Sequence, residues 1–124
     1  MVLDFFKKVQ QILQEEKRLI LLVVIANEGS SPGRKGFKMI VSKQQMYGTV
    51  GGGIMEHKLV EYAENLLEKP RFEPFIKHQI HDKSAPKDQS GMICSGQQTI
   101  AFYDIDLSYF PLTEEILSDE VITL

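Results

Sequence analysis

Three consecutive glycines, Gly51-Gly52-Gly53, stand between a short strand-like run, Met46 to Val50, and a helix-like run, Ile54 to Glu68. A glycine turn from strand to helix lets backbone N–H groups converge on an anion at the positive end of the helix. It is also an ordinary tight turn, and the triplet alone leaves both readings open. Upstream lies Gly29-Ser30-Ser31-Pro32-Gly33-Arg34-Lys35-Gly36, which sets two hydroxyls and two cations in one short loop. Such a loop is either a solvated surface or, folded beside the glycines, half of a phosphate site: Ser30 and Ser31 donate hydrogen bonds and Arg34 and Lys35 neutralise charge. In that arrangement the phosphate sits on the N–H groups of Gly52, Gly53 and the helix start. Glu56 falls in the first helical turn, where a carboxylate suits the helix dipole or orients a ligand or a neighbouring loop.

The single cysteine, Cys94, lies in Ser90-Gly91-Met92-Ile93-Cys94-Ser95-Gly96. A lone cysteine is commonly a small buried hydrophobe. Its glycine and serine neighbours read instead as a turn, and a loop thiol near cations is reactive or metal-ligating. His78 and His81, three apart on a strand, would point to opposite faces, and no cysteine lies close enough to complete a zinc site. His57 falls early in a helix and is expected at the surface. No Ser-His-Asp pattern, Walker A motif, Rossmann fingerprint or His-Glu-x-x-His motif is present.

These residues need elements to position them. Residues 3 to 17 carry Phe5, Phe6, Val9, Ile12 and Leu13 at helical spacing, with Asp4 as a cap. Leu19 to Ala26 is a continuous apolar, β-branched run, as in a strand buried on both faces. Asn27 to Gly36 is dense in turn residues. Phe37 to Ser42 and Met46 to Val50 read as a hairpin joined by Lys43-Gln44-Gln45. Ile54 to Glu68 is helical and Pro70 ends it. Phe72 to Ile80 reads as a strand that Pro74 confines to an edge or bulge. Asp82 to Ser90 has no periodicity, Gln97 to Ile105 is a final strand, and Thr113 starts a short helix. The sum predicts an α/β single domain with a mixed sheet of about five strands flanked by helices.

The chain has 124 residues, 43% hydrophobic and 25% charged, which fits one domain with one real core. A net charge of −3 argues against nucleic acid as the main partner. One cysteine excludes an internal disulfide and fits a reducing compartment. The start of the chain does not read as a signal peptide, and the apolar run Leu19 to Ala26 is too short to span a bilayer. A cytoplasmic protein is expected. The Phe-rich first helix and the apolar strand also lead to the expectation of a homodimer that covers apolar surface.

Taken together, three segments resemble the XdhC/CoxI family, accessory factors of xanthine dehydrogenase and related molybdenum hydroxylases. They are Glu28-Gly29-Ser30-Ser31-Pro32 through Gly36 and Met39, then Gly48-Thr49-Val50-Gly51-Gly52-Gly53 with Glu56, then Gly91-Met92-Ile93-Cys94. The resemblance covers roughly residues 20 to 104. Two departures stand out: Ser95 replaces the first of two glycines that usually follow the family's cysteine, and Gly33 separates Pro32 from Arg34. Longer relatives carry a second, Rossmann-like domain, which is expected to be absent from this chain.

The resemblance implies a carrier or chaperone for the molybdenum cofactor (molybdopterin), held as cargo, rather than a turnover enzyme. The implied cofactor-binding residues are Ser30, Ser31, Arg34, Lys35, Gly51, Gly52, Gly53, Glu56 and Cys94, with Cys94 as metal ligand. The implied partner is a molybdenum hydroxylase apo-enzyme, with a sulfurtransferase or a separate Rossmann-domain protein as further partners. The rival expectation is a non-catalytic interaction or regulatory subunit that has lost cofactor handling.

Overall fold

An apolar run escapes water only when both edges of its backbone are paired, and the run around Leu19 to Ala26 is placed accordingly. The structure is a computed structural model that describes residues 2–29, 33–80 and 96–119. In chain order its elements are α1 (Val2–Glu16), β1 (Arg18–Glu28), β2 (Lys38–Val41), β3 (Met46–Gly48), α2 (Gly53–Leu67), β4 (Phe75–Ile80), β5 (Gln97–Asp106) and, after a 3₁₀ turn at Leu107–Tyr109, α3 (Phe110–Asp119). The five strands form one sheet ordered β3-β2-β1-β5-β4, with β1 at its centre. Leu22 sits opposite Met39 on one side and Phe102 on the other.

The α/β class and the five strands agree with expectation. The pairing differs: all four strand contacts are antiparallel, not mixed. The crossover through α2 explains this. It joins β3 to β4, which run the same way but lie at opposite edges of the sheet. A crossover of this kind would ordinarily create a parallel pair. Here three strands separate its two ends, so the parallel relation never becomes a contact.

Alternate residues of β1 enter different cores, as the pleat requires. Ile20, Leu22 and Val24 pack with Leu59, Val60, Ala63 and Leu67 of α2 on one face. Leu19 packs with Phe5, Val9, Ile12 and Leu13 of α1 on the other. Phe5, Val9, Ile12 and Leu13 of α1 are thus buried against the sheet within the chain. The third helix joins this side through Thr113, whose Oγ1 accepts from Gln10 Nε2 at 3.1 Å.

Several boundaries shift for local reasons. The strand expected from Phe72 begins at Phe75. Pro74 cannot donate to a ladder, and the Phe72 N–H donates instead to Asp104 Oδ2 at 3.2 Å. The last helix starts at Phe110 rather than Thr113, with Pro111 in its first turn, where the missing N–H costs nothing. Asp106 caps the 3₁₀ turn before it by accepting from the Ser108 N–H at 2.9 Å.

Arg18 joins the sheet to the end of α2. Its Nε and Nη2 reach the two carboxylate oxygens of Asp104 at 3.1 and 2.9 Å. Its Nη1 also donates to the carbonyls of Leu67 and Lys69 at 3.3 and 2.9 Å. The Asp104 side chain is only 1% exposed, so removing it strands a half-buried guanidinium and the Phe72 N–H. Asp104→Ala is therefore expected to lower stability by about 3 kcal/mol, read as a lower urea midpoint with an unchanged slope.

Candidate functional site at one end of the sheet

The antiparallel order brings the singled-out segments to one end of the sheet. The C-terminal ends of β1, β3 and β4 and the N-terminal ends of β2 and β5 all lie there. The Arg34 loop leaves from the end of β1, and the glycine turn leaves from the end of β3. Ile80 and Gln97, which flank residues 81–96, are paired across β4 and β5 at this same end. Cys94, Ser30 and Ser31 lie outside the described residues, as does His81.

Gln98 joins the loop to the turn. This side chain is 1% exposed, and its Oε1 accepts from the Gly33 N–H at 2.8 Å. Its Nε2 donates to the Val50 carbonyl at 3.3 Å and to Gln79 Oε1 at 3.0 Å. The contact is close: a Cβ at Gly33 would stand 2.5 Å from the Val50 oxygen and 2.7 Å from Gln98 Oε1. Glycine at position 33, which splits the Pro32–Arg34 pair, is what permits this approach. Beyond it, the Lys35 N–H donates to Asn27 Oδ1 at 2.8 Å, and the Gly36 N–H donates to the Val24 carbonyl at 2.8 Å. Arg34 and Lys35 are exposed.

The glycine turn contains an anion of its own. Glu56 Oε1 accepts from Thr49 Oγ1 at 2.6 Å and from the N–H groups of Val50 and Gly52, each at 2.9 Å. The Gly51 N–H donates to Thr49 Oγ1 at 3.0 Å. The Gly52 N–H, which the sequence reading offered to a phosphate, is here engaged by the carboxylate four residues on. The reason is reach, since a glutamate in the first turn folds back onto the donors that precede its helix. What remains open is the outer face of the turn. Gly52 and Gly53 have φ of +77° and +70°, and a Cβ at either would meet nothing within 4 Å. A ligand can therefore approach these backbones closely. An open groove of about 260 Å³ lies alongside, lined by Met39, Met46, Gly53, Glu56, His57 and Val60.

Partial burial pushes the Glu56 carboxyl up, and hydrogen bonds from Thr49, Val50 and Gly52 pull it down more strongly. Its pKa ends below the ordinary value of 4.5. Among the described residues, no group of three or more His, Cys, Asp or Glu could hold a metal ion. His57 is exposed and lies 3.5 Å from Glu61, while His78 Nδ1 pairs with Thr99 Oγ1 at 3.0 Å. Sequence reading missed Gln98, Gln79 and Thr49 as parts of the site. Gln98 stands between Gln97 and Thr99 in the sequence, and nothing in that polar run marks it out.

An α/β domain with a cation-bearing loop locked onto a glycine turn defines the class of protein. The chain belongs to the XdhC and CoxI family, whose model matches residues 12–77, more than half of its length. A search among curated proteins found no match. A crystal structure described as a xanthine dehydrogenase from Bacillus halodurans is similar in fold, with a TM-score of 0.67 at 16% identity. The similarity covers 91% of this chain and 34% of that one, so this chain spans about a third of that protein's length. Among the described residues, no helix is long and apolar enough to cross a membrane.

Two predictions follow from the geometry of the turn. Glu56→Gln keeps the size but removes the charge that accepts three hydrogen bonds, and should cost about 1–2 kcal/mol at neutral pH. Because the folded pKa is depressed, the stabilisation is fully present above the unfolded value of 4.5. It is lost as pH falls from there through the folded value, and Glu56→Gln should flatten that part of the stability–pH curve. Gly52→Val forces a β-branched residue to positive φ and should cost about 1–2 kcal/mol through strain alone, since no neighbour obstructs it. Chemical denaturation of both variants checks these values.

Proposed function

We propose that this chain is an accessory domain that binds the molybdenum cofactor as cargo and assists maturation of a molybdenum hydroxylase such as xanthine dehydrogenase. Family membership supports the reading. The observation that carries it is the bridge from the Gly33 N–H through Gln98 to the Val50 carbonyl, which sets a cationic loop beside an open glycine turn. The described residues suit the phosphate end of the pterin at the outer faces of Gly52 and Gly53, with Arg34 and Lys35 supplying positive charge. Ser30 and Ser31 add hydroxyl donors in this reading. Cys94, as thiolate, is the soft ligand for molybdenum. Gly51 and Glu56 contribute from inside: the carboxylate has the same sign as a phosphate, so its part is to shape the turn. In this reading the chain is a carrier rather than a turnover enzyme. A hydroxylase apo-enzyme is the recipient, with a sulfurtransferase or a Rossmann-domain protein as further partners.

A second reading, a non-catalytic interaction or regulatory subunit, is favoured by one observation. The Glu56 carboxylate already satisfies the Val50 and Gly52 amides that an incoming phosphate would otherwise use.

The two separate in one measurement. The chain, purified with cofactor supplied, is expected to retain molybdenum and pterin fluorescence through gel filtration. Cys94→Ser should fold, lose the molybdenum and keep partial affinity for the pterin. Arg34→Ala should weaken pterin binding by about tenfold, the loss of one charge-assisted hydrogen bond. Wild-type protein that elutes without molybdenum or pterin would leave the interaction-subunit reading in its place.

A further inference from the structure

The side-chain amides of Gln79 and Gln98 form a chain with a fixed direction. Gln79 Nε2 donates to the Met55 carbonyl in the first turn of α2 at 2.9 Å. That turns Gln79 Oε1 toward β5 as an acceptor, and Gln98 Nε2 donates to it at 3.0 Å. The second hydrogen of the same Nε2 goes to the Val50 carbonyl at 3.3 Å. With both hydrogens committed, Gln98 Oε1 faces Gly33 and accepts its N–H at 2.8 Å. Reversing Gln98 would press its NH₂ against an N–H and its oxygen against two acceptors. At 1% exposure no water can substitute. An apolar side chain supplies neither group, and a carboxylate lacks the donor.

We infer that Gln98 is a positioning residue: with Gln79 it ties the Gly33–Gly36 loop to the glycine turn, so that Arg34 and the open faces of Gly52 and Gly53 act on one ligand. This rests on the cofactor-binding reading above. Gln98 itself touches no ligand. Its contacts reach both halves of the site, and Gln79 carries the chain on to the first turn of α2, whereas Arg34 and Lys35 belong to the loop whose backbone Gln98 holds at Gly33. A glutamine that merely filled a polar hole would change stability and leave the binding contribution of Arg34 intact. A positioning glutamine makes that contribution depend on itself.

The test has two parts, both on the full chain. The first uses no ligand: hydrogen exchange at the Gly33 amide in wild type, Gln98→Leu and Gln79→Leu. Gly33 should exchange at least about tenfold faster in Gln98→Leu, with amides of β1 little changed. The second is a double-mutant cycle with metal-free molybdopterin as probe, followed by its fluorescence. Arg34→Ala should weaken binding about tenfold in the wild-type background and less than about twofold in Gln98→Leu. If Gln98→Leu does not fold, Gln79→Leu, half-buried on the edge strand, carries the same cycle. Equal effects of Arg34→Ala in both backgrounds, or unchanged protection at Gly33, would overturn the inference. If wild type binds no molybdopterin, the cofactor reading fails, and Gly33 exchange alone then decides whether Gln98 holds the loop.

Discussion

The structure depends on β1 being paired along both edges at once. Its ladder with β5 runs from Arg18 to Glu28, while β2 covers the stretch from Ile20 to Val23 on the other side. Once that register is set, alternate side chains must go to opposite faces, and each face needs a helix to cover it. A one-residue slip would move Ile20, Leu22 and Val24 out of the core shared with α2 and into the one shared with α1. The ladder to β5 shifts between Val24 and Ala26, just before the chain turns into the loop that carries Arg34. An irregularity there alters strand twist where the site begins.

Helix α2 is held at both ends by charge of the appropriate sign. A carboxylate from its own first turn serves the N-terminal side, and a guanidinium from β1 serves the last carbonyls. The helix carries no basic residue in its last turn, so this complement comes from outside it. The two devices differ in consequence. The Arg18–Asp104 pair is partly buried and ties helix to sheet. The Glu56 cap sits nearer to solvent and shapes a turn whose outer face stays open.

Much of this was legible in the sequence. Continuous apolar character marked β1 as a strand buried on both faces, helical spacing placed α1 and α2, and Pro70 marked the end of α2. Element types are read from periodicity, which burial imposes on every residue of a run. Strand partners are not, because pairing depends on how far each connection carries the chain, and the α2 crossover concealed an all-antiparallel order. The site was legible by composition at Arg34, Lys35 and the three glycines. It was not legible at Gln98, because one polar residue on a strand gives no sign of which distant backbone groups it will meet. Glu56 was seen at the correct helical turn, but its three donors became apparent only with the turn's backbone in place.

The pairing of Ile80 with Gln97 bears on how this domain can vary. The two residues are neighbours across a ladder, so the segment between them leaves and re-enters the sheet at nearly the same point. The free energy of closing a loop grows only with the logarithm of its length, so doubling an excursion of this kind costs about 0.6 kcal/mol. The sheet therefore places almost no thermodynamic limit on the length of that segment. It is a position where related chains can differ by insertion, or where an engineered peptide can be grafted, while the strands that frame the site keep their register.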